Sequence, residues 1–495
     1  MTNSETHALP DGVSLTRSQK RFVLLVASLG MFVAMLTSIP MTITVPTIAR
    51  AFSVEVPTAQ WIMTAYFVAQ AATMLPIGSA GDILGRTRVF IAGFLLLILG
   101  LVLTPLALNI DTLIIFRGIQ GVGAGMIMVT APAICTAALP PSERGRAVAA
   151  VMLGGWLSSG MGQPVFGVVA EYMAWQGIFL VIVVPAVLVL AMSFRLGKLV
   201  PKGSKRPFDV VGSGLMVIAF GALVVAVGHG QEEHWELGHT GTHVAPLFAA
   251  SALAAVFYLL YARRASNPII PLHLFRNLTL TTASITNTLL HMTMLMVSFL
   301  MPFYLDNVLG YSTIAIALMF VPMAIVLNLM ALPTGWAYDK LGSRIPCTIA
   351  MVLGVVLLLS FTQLTETSSF WQVFSRLTLS AVVLGLFVTP NVSAMLGAVP
   401  QRHYSLISGL EQTTRNVGHA MGVVLSSAVA TYYLQSTDVQ ATPSTYVSIV
   451  HGASLVAALM MGAGAILALF RHEPRNPKPP SESEPAQTAS LSGRV

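Results

Sequence analysis

Charge is what this sequence has least of: Asp, Glu, Lys and Arg make up 9% of its 495 residues, where a soluble domain carries about a quarter. That is too little to cover a water-facing surface, and a soluble globular protein is excluded. Cysteine is nearly absent too. Both copies, Cys135 and Cys347, fall in apolar runs where a small buried thiol is the ordinary use, which speaks against a disulfide framework or a cysteine metal site. The alternation of a membrane barrel, about ten residues at a time, is missing. So is a basic, aromatic-laced patch for nucleic acid, because the formal charge of +7 is spread over eight separate hydrophilic segments. No nucleophile–base pair, phosphate loop or recognised metal pattern stands in the loops, not even in the His- and Glu-rich stretch "HGQEEHWELGHTGTH". Neither an enzyme nor a bound metal or cofactor is expected.

What is present is apolar length. Hydrophobic residues make up 55% of the chain and its mean hydropathy is +0.78. A bilayer core about 30 Å thick needs roughly 20 helical residues at about 1.5 Å each. Fourteen runs qualify, near 22–48, 57–80, 89–108, 112–138, 147–170, 174–196, 209–230, 244–262, 279–304, 311–335, 346–364, 370–398, 405–433 and 446–470. The pattern predicts an all-α membrane protein with 14 transmembrane helices. An even count puts both termini on one side. With that side cytoplasmic, every Lys and Arg except Arg50, Arg117, Arg376 and Arg415 lies in a cytoplasmic segment, as the positive-inside rule requires. The expected location is the cell inner membrane, multi-pass, with both termini cytoplasmic.

The string "GSAGDILGRTRVF" (78–90) returns in related form as "GWAYDKLGSRIP" (335–346), each after the second span of a half, with Asp82 and Asp339 257 residues apart. This spacing suggests an internal duplication of six spans, with two spans left over. The organisation read from it is 1–21 cytoplasmic N-terminal segment, 22–196 N-terminal six-helix bundle, 197–208 linker, 209–262 two extra helices with a periplasmic loop, 263–278 linker, 279–470 C-terminal six-helix bundle and 471–495 disordered cytoplasmic tail. Parallel repeats around a midplane site are a common plan for secondary transporters.

Gly78, Asp82, Gly85, Arg86 and Arg88, and again Gly335, Asp339, Gly342 and Arg344, match the loop motif of the major facilitator superfamily. Further landmarks are "WIMTAYFVAQAATMLP", "RGIQGVGAG", "GQEEHW" and "NPIIPLHLFRN". From about residue 22 to 470 the chain resembles that superfamily, within it the fourteen-helix drug:proton antiporter branch of EmrB/QacA-like multidrug exporters. The resemblance implies a major facilitator fold (6 + 2 + 6), efflux by alternating access and proton coupling. Two departures stand out. Thr37 of "LTSIPMTITVP" occupies the place of the branch's first-span acid, and Gln163 and Val168 of "GQPVFGV" replace glycines of its fifth-span motif.

The candidate residues follow from burial of polarity in apolar spans. Arg117 and Gln120 sit inside the fourth span, where an unpaired charge is costly and must face a cavity or a partner; the resemblance assigns the arginine to coupling. Snorkelling to the outer surface is the structural alternative. Glu411 and Arg415 are i and i+4 with the acid first, the favourable order for a helical ion pair; they are read either as proton chemistry or as a structural bridge. His291 and Asn287, one turn apart, are candidates for the same cavity, since His titrates near physiological pH. Thr37, Ser38, Trp61, Tyr66, Gln70, Trp156 and Gln163 are candidates for the substrate path or for packing. The loop motif reads as a gate, with Asp82 facing the helix start near residue 405 and Asp339 the one near 147.

The expected partners are a small amphipathic substrate, protons and the lipid bilayer, with the chain acting as a monomer. A periplasmic adaptor is left open. The rival functions are a dedicated exporter or facilitator of one metabolite, siderophore or lipid without the usual proton coupling, and a non-transporting membrane sensor or scaffold.

Overall fold

The computed structural model describes residues 15–139, 141–200, 209–232, 240–265, 268–400, 404–435 and 442–471. Expectations for residues 1–14, for linker residues 201–208, for the loop at 233–239, for the tail beyond 471 and for the Asp82 side chain fall outside the described residues.

The described chain is helical throughout. Its helices are α1 (Arg17–Leu36), α2 (Val45–Phe52), α3 (Val56–Ala59), α4 (Trp61–Leu84), α5 (Arg86–Leu103), α6 (Ile110–Ala138), α7 (Pro141–Tyr172), α8 (Ala174–Ser193), α9 (Val210–Glu232) and α10 (Thr240–Arg264). They continue with α11 (Leu278–Asn307), α12 (Thr313–Leu341), α13 (Arg344–Phe361), α14 (Phe370–Gly397), α15 (Tyr404–Gln435) and α16 (Pro443–Leu469). Without water in a bilayer core, backbone polar groups must pair within the segment, which leaves the helix as the form for such apolar runs. Local chemistry sets the ends. Thr16, Asn109, Ser369 and Thr442 close capping boxes at the starts of α1, α6, α14 and α16, each holding first-turn N–H groups that lack helical partners. Gly85 at φ 100° ends α4 and Gly342 at φ 71° ends α12, a backbone sign that a side chain would resist. The two copies of the loop motif thus make the same kind of turn.

Twelve helical segments among the described residues are long and apolar enough to cross a membrane. α7 and α9 are not among them, so the expected count of fourteen is corrected to twelve on this criterion. In α7 the apolar residues are diluted by Glu143, Arg144, Arg146 and a Gly-, Ser- and Gln-bearing stretch, "GGWLSSGMGQ". In α9 the apolar stretch, Val210–Leu223, is short. The faces turned outward are apolar, with Leu99, Val184, Leu353 and Leu459 among the exposed side chains, as a lipid-facing protein requires and a soluble one avoids.

Helices α1–α8 and α11–α16 form two bundles that meet through α4 against α15 and α7 against α12. The hairpin of α9 and α10 lies beside this junction, with α9 on both α4 and α15. Asp209 fastens the hairpin: its carboxylate accepts from Gly212 N at 2.8 Å, from the Tyr261 hydroxyl at 2.7 Å and from Ile269 N at 3.2 Å. At one end of the junction Arg50, after α1, pairs with Asp306 at the end of α11, joining the halves. Small residues let backbones approach, as in membrane helix packing generally. A Cβ on Gly121 would lie 2.3 Å from the Tyr66 carbonyl oxygen, and one on Gly422 would lie 2.4 Å from that of Met292. α6 therefore rests on α4, and α15 on α11, nearly backbone to backbone.

Candidate functional site

Between the bundles lies a cavity of about 1090 Å³, its open mouth included, lined from α1, α4, α6 and α7 on one side and α11, α12, α14 and α15 on the other. Its wall is apolar for the most part, with Met35, Met128, Met294 and Met323 beside Trp156 and Phe320. Polar groups enter at a few points, namely Ser38, Gln70, Gln163, His291, Arg415, Asn416 and His419 among them. A mostly apolar hollow with a few convergent polar groups is the usual form of a small-molecule site.

Beneath the N-terminal wall Arg117 is fully buried. Helix α1 stops at Leu36, and the chain turns through Ser38 into a 3-10 stretch, Ile39–Thr44, whose Pro40 has no N–H to donate. The break leaves the Thr37 carbonyl without a helical donor, and the guanidinium fills that role: Nη1 and Nη2 donate to it at 3.2 Å. Nε donates to the Ile62 carbonyl at 2.9 Å and Nη1 also to Gln120 Oε1 at 2.7 Å. The group stacks over the Tyr66 ring at 4.5 Å. Gln120 is held in turn, its amide donating to Thr104 Oγ1 at 2.6 Å. Thr37 Oγ1 lies 3.0 Å from the Tyr66 hydroxyl. No partner of Arg117 among the described residues is a carboxylate.

The C-terminal wall is built differently. Arg415 and Glu411 are buried one turn apart and pair at 3.4 Å, with Arg415 on the cavity wall and Glu411 behind it. Asn287 donates to the Glu411 carbonyl at 3.1 Å and to Thr414 Oγ1 at 2.9 Å, locking α11 to α15. His291 and His419 meet at 5.2 Å between ring centroids, and His419 lies 5.0 Å from Phe67 across the junction. Arg415 Nη2, His419 Nδ1 and Gln70 Oε1 are buried with no hydrogen-bond partner.

Of the expected cavity residues, Ser38, Gln70, Trp156 and Gln163 line the cavity, whereas Thr37, Trp61 and Tyr66 do not. Thr37 and Tyr66 are turned into the Arg117 shell. His291 and Arg415 line it, while Asn287, Glu411, Arg117 and Gln120 stand behind the wall. Snorkelling of Arg117 is corrected by its full burial.

At the loop motif, Gly78 faces Val129 with room for a Cβ only at 3.2 Å. Arg86 donates to the Ala133 carbonyl at 2.8 Å, while Arg88, Asp339 and Arg344 are exposed. Gly335 has open space around it. Two residues that sequence reasoning missed, Asn416 and His419, follow Glu411 and Arg415 on α15. A third is Arg471, expected in the tail but buried in the C-terminal bundle. There it donates to Thr286 Oγ1, to Asn391 Oδ1 at 2.6 Å and to Ser343 Oγ at 3.4 Å.

The family model that describes the Major Facilitator Superfamily matches residues 26–423. The chain belongs to the Major Facilitator Superfamily. Among superfamily members it is similar to the riboflavin transporter RibZ of Clostridioides difficile (strain 630), 27% identical over 457 residues that cover 91% of this chain and 97% of that protein. It is equally similar, at 27% identity, to the multidrug resistance protein Stp of Mycobacterium tuberculosis (strain CDC 1551 / Oshkosh), over 84% of this chain and 76% of that one. In fold it is similar to the crystal structure of a bacterial homolog to the human lysosomal transporter Spinster, with a TM-score of 0.68 at 15% identity over 92% of this chain and 98% of that one. The protein is a multi-pass membrane transporter of this superfamily, not an enzyme.

Proposed function

We propose that the chain is a secondary active exporter of amphipathic small molecules across the inner membrane, moving them from the central cavity by rocking of the two bundles and drawing on the proton gradient. The observation that carries this reading is the cavity itself, walled by both bundles and apolar with sparse polar points. A rocking motion about such a site exposes it alternately to the two sides. We read α7 and α9 as spans too, which gives fourteen, both termini cytoplasmic and the EmrB/QacA-like branch. α7 packs between α1 and α12, and its mid-helix polar residues Ser158 and Gln163 are buried. Glu411 is the group assigned to proton uptake, since Thr37 stands where that branch carries its acid. In proteoliposomes with an imposed proton gradient, Glu411→Gln is expected to abolish the gradient dependence of efflux of an amphipathic dye that the parent exports, while leaving downhill flux within about ten-fold. An unchanged gradient dependence removes Glu411 from the role.

A second reading is a dedicated transporter of one metabolite. It is favoured by the acid-free shell of Arg117 and by the similarity to a protein named a riboflavin transporter. Susceptibility of an expressing strain separates the two: protection against several unrelated toxicants supports the first, protection against none the second.

A further inference from the structure

Among the described residues the wall of the cavity contains no Asp or Glu, and its one formal charge is Arg415, with His291 and His419 also lining it. The Glu411 carboxylate that pairs with Arg415 sits behind the guanidinium, so the pair presents its positive end to the hollow. Two donors at this corner are buried and unused: Arg415 Nη2, and His419 through Nδ1 when that nitrogen carries the proton. A buried donor left without an acceptor is unfavourable, and an incoming oxyanion removes that cost with charge-assisted bonds. A cation entering the same space loses its hydration and meets a guanidinium. The aromatic rings of Trp156 and Phe320 on the wall return at most a small part of that loss. Elsewhere the wall carries Met35, Met128, Met323, Trp156 and Phe320, a surface that adapts to flat apolar bodies.

Resting on the reading of this cavity as the transport site, we propose that its ligands are aromatic anions, flat ring systems bearing a carboxylate, phenolate or sulfonate, with the anionic group on Arg415 and His419. Lipophilic cations are disfavoured. The neighbouring Glu411 competes with such a ligand for Arg415, so neutralising that carboxylate strengthens binding.

The test uses the full chain in nanodiscs of zwitterionic lipid and two xanthene dyes of opposite charge, fluorescein and rhodamine 6G. Each is titrated by fluorescence anisotropy, with empty nanodiscs as the blank. Fluorescein is expected to bind at least ten-fold more tightly than rhodamine 6G. Arg415→Gln removes that preference and Arg415→Lys retains most of it. Glu411→Gln tightens fluorescein several-fold, and it carries the test if Arg415→Gln does not fold. Equal or tighter binding of rhodamine 6G, no saturable fluorescein binding, or a fluorescein affinity unmoved by the Arg415 and Glu411 variants overturns the proposal. Dye flux in proteoliposomes is read separately. Export of rhodamine 6G without a fluorescein preference sinks this proposal and leaves the exporter reading, whereas saturable fluorescein binding with no flux of any dye does the reverse.

Discussion

Arg117 in the N-terminal bundle and Arg415 in the C-terminal bundle are both buried guanidinium groups, yet their hydrogen bonds end differently. Arg117 is closed off: its donors go to two backbone carbonyls and a glutamine, and a tyrosine ring covers it. Arg415, a residue of the cavity wall, pairs with one carboxylate and has one buried amino group without a hydrogen-bond partner. The difference separates two uses of one residue. A guanidinium whose donors all meet fixed acceptors stabilises the break between α1 and the 3-10 stretch. One with a spare donor at a hollow can recognise something that comes and goes.

The sharpest way to break this contrast is Arg117→Leu. It leaves the Thr37 and Ile62 carbonyls and Gln120 without their donor, at about 1–3 kcal/mol for each buried group so stranded. The expected result is little folded protein on gel filtration in detergent and loss of all transport. A melting temperature equal to the parent's would show the shell to be dispensable. Gly422→Leu comes next, since its first carbon would overlap the Met292 carbonyl. Separating α15 from α11 to admit it costs about 1–3 kcal/mol, with a lower melting temperature and a disturbed cavity wall. Unaltered thermal stability would mean that the two backbones are not held together as described.

Thr37→Asp sharpens the comparison from the other side by giving Arg117 an acid of its own. The rate–pH profile of dye flux should gain a step absent from the parent, of about ten-fold, which corresponds to about 1.4 kcal/mol of differential interaction. A superimposable profile would show that the missing first-span acid has no bearing on coupling. The smallest effect belongs to Arg50→Gln. Its pair with Asp306 is half exposed on the arginine side, so stability changes by less than about 1 kcal/mol. The population open at that end rises a few-fold, as read by labelling of a cysteine placed at exposed position 307, beside an intact Asp306. Equal labelling in both backgrounds would deny the pair any hold on the two bundles.

Much of this was legible in the sequence. Apolar runs located the long helices, because in a membrane a continuous run can satisfy its backbone only by coiling. The doubled "GSAGDILGRTRVF" string marked two equivalent turns, which Gly85 and Gly342 make with the same backbone sign. The span count was less secure. Helix α7 mixes small and polar residues because it faces protein on two sides, and apolarity alone does not report that. The site was half legible. Glu411 and Arg415 were found by their spacing, and continuing that spacing one more turn leads to His419. Thr37, Tyr66 and Trp61 could not be told from cavity residues, because which side of a buried helix faces the hollow depends on the turn of α1 at Ser38. Arg471 was hidden by its neighbours: a polar, proline-rich stretch follows it, and composition assigned it to the wrong side of a boundary.

That arginine has a bearing on assembly. It is the last described residue, yet it supplies donors to α11, α14 and the turn before α13. A chain made from its N-terminus folds early parts first, so the C-terminal bundle holds Asn391 and Thr286 without this donor until synthesis has passed α16 and reached residue 471. A truncation or fusion that interrupts the chain at residue 470 removes the closing piece of that bundle rather than a dispensable end.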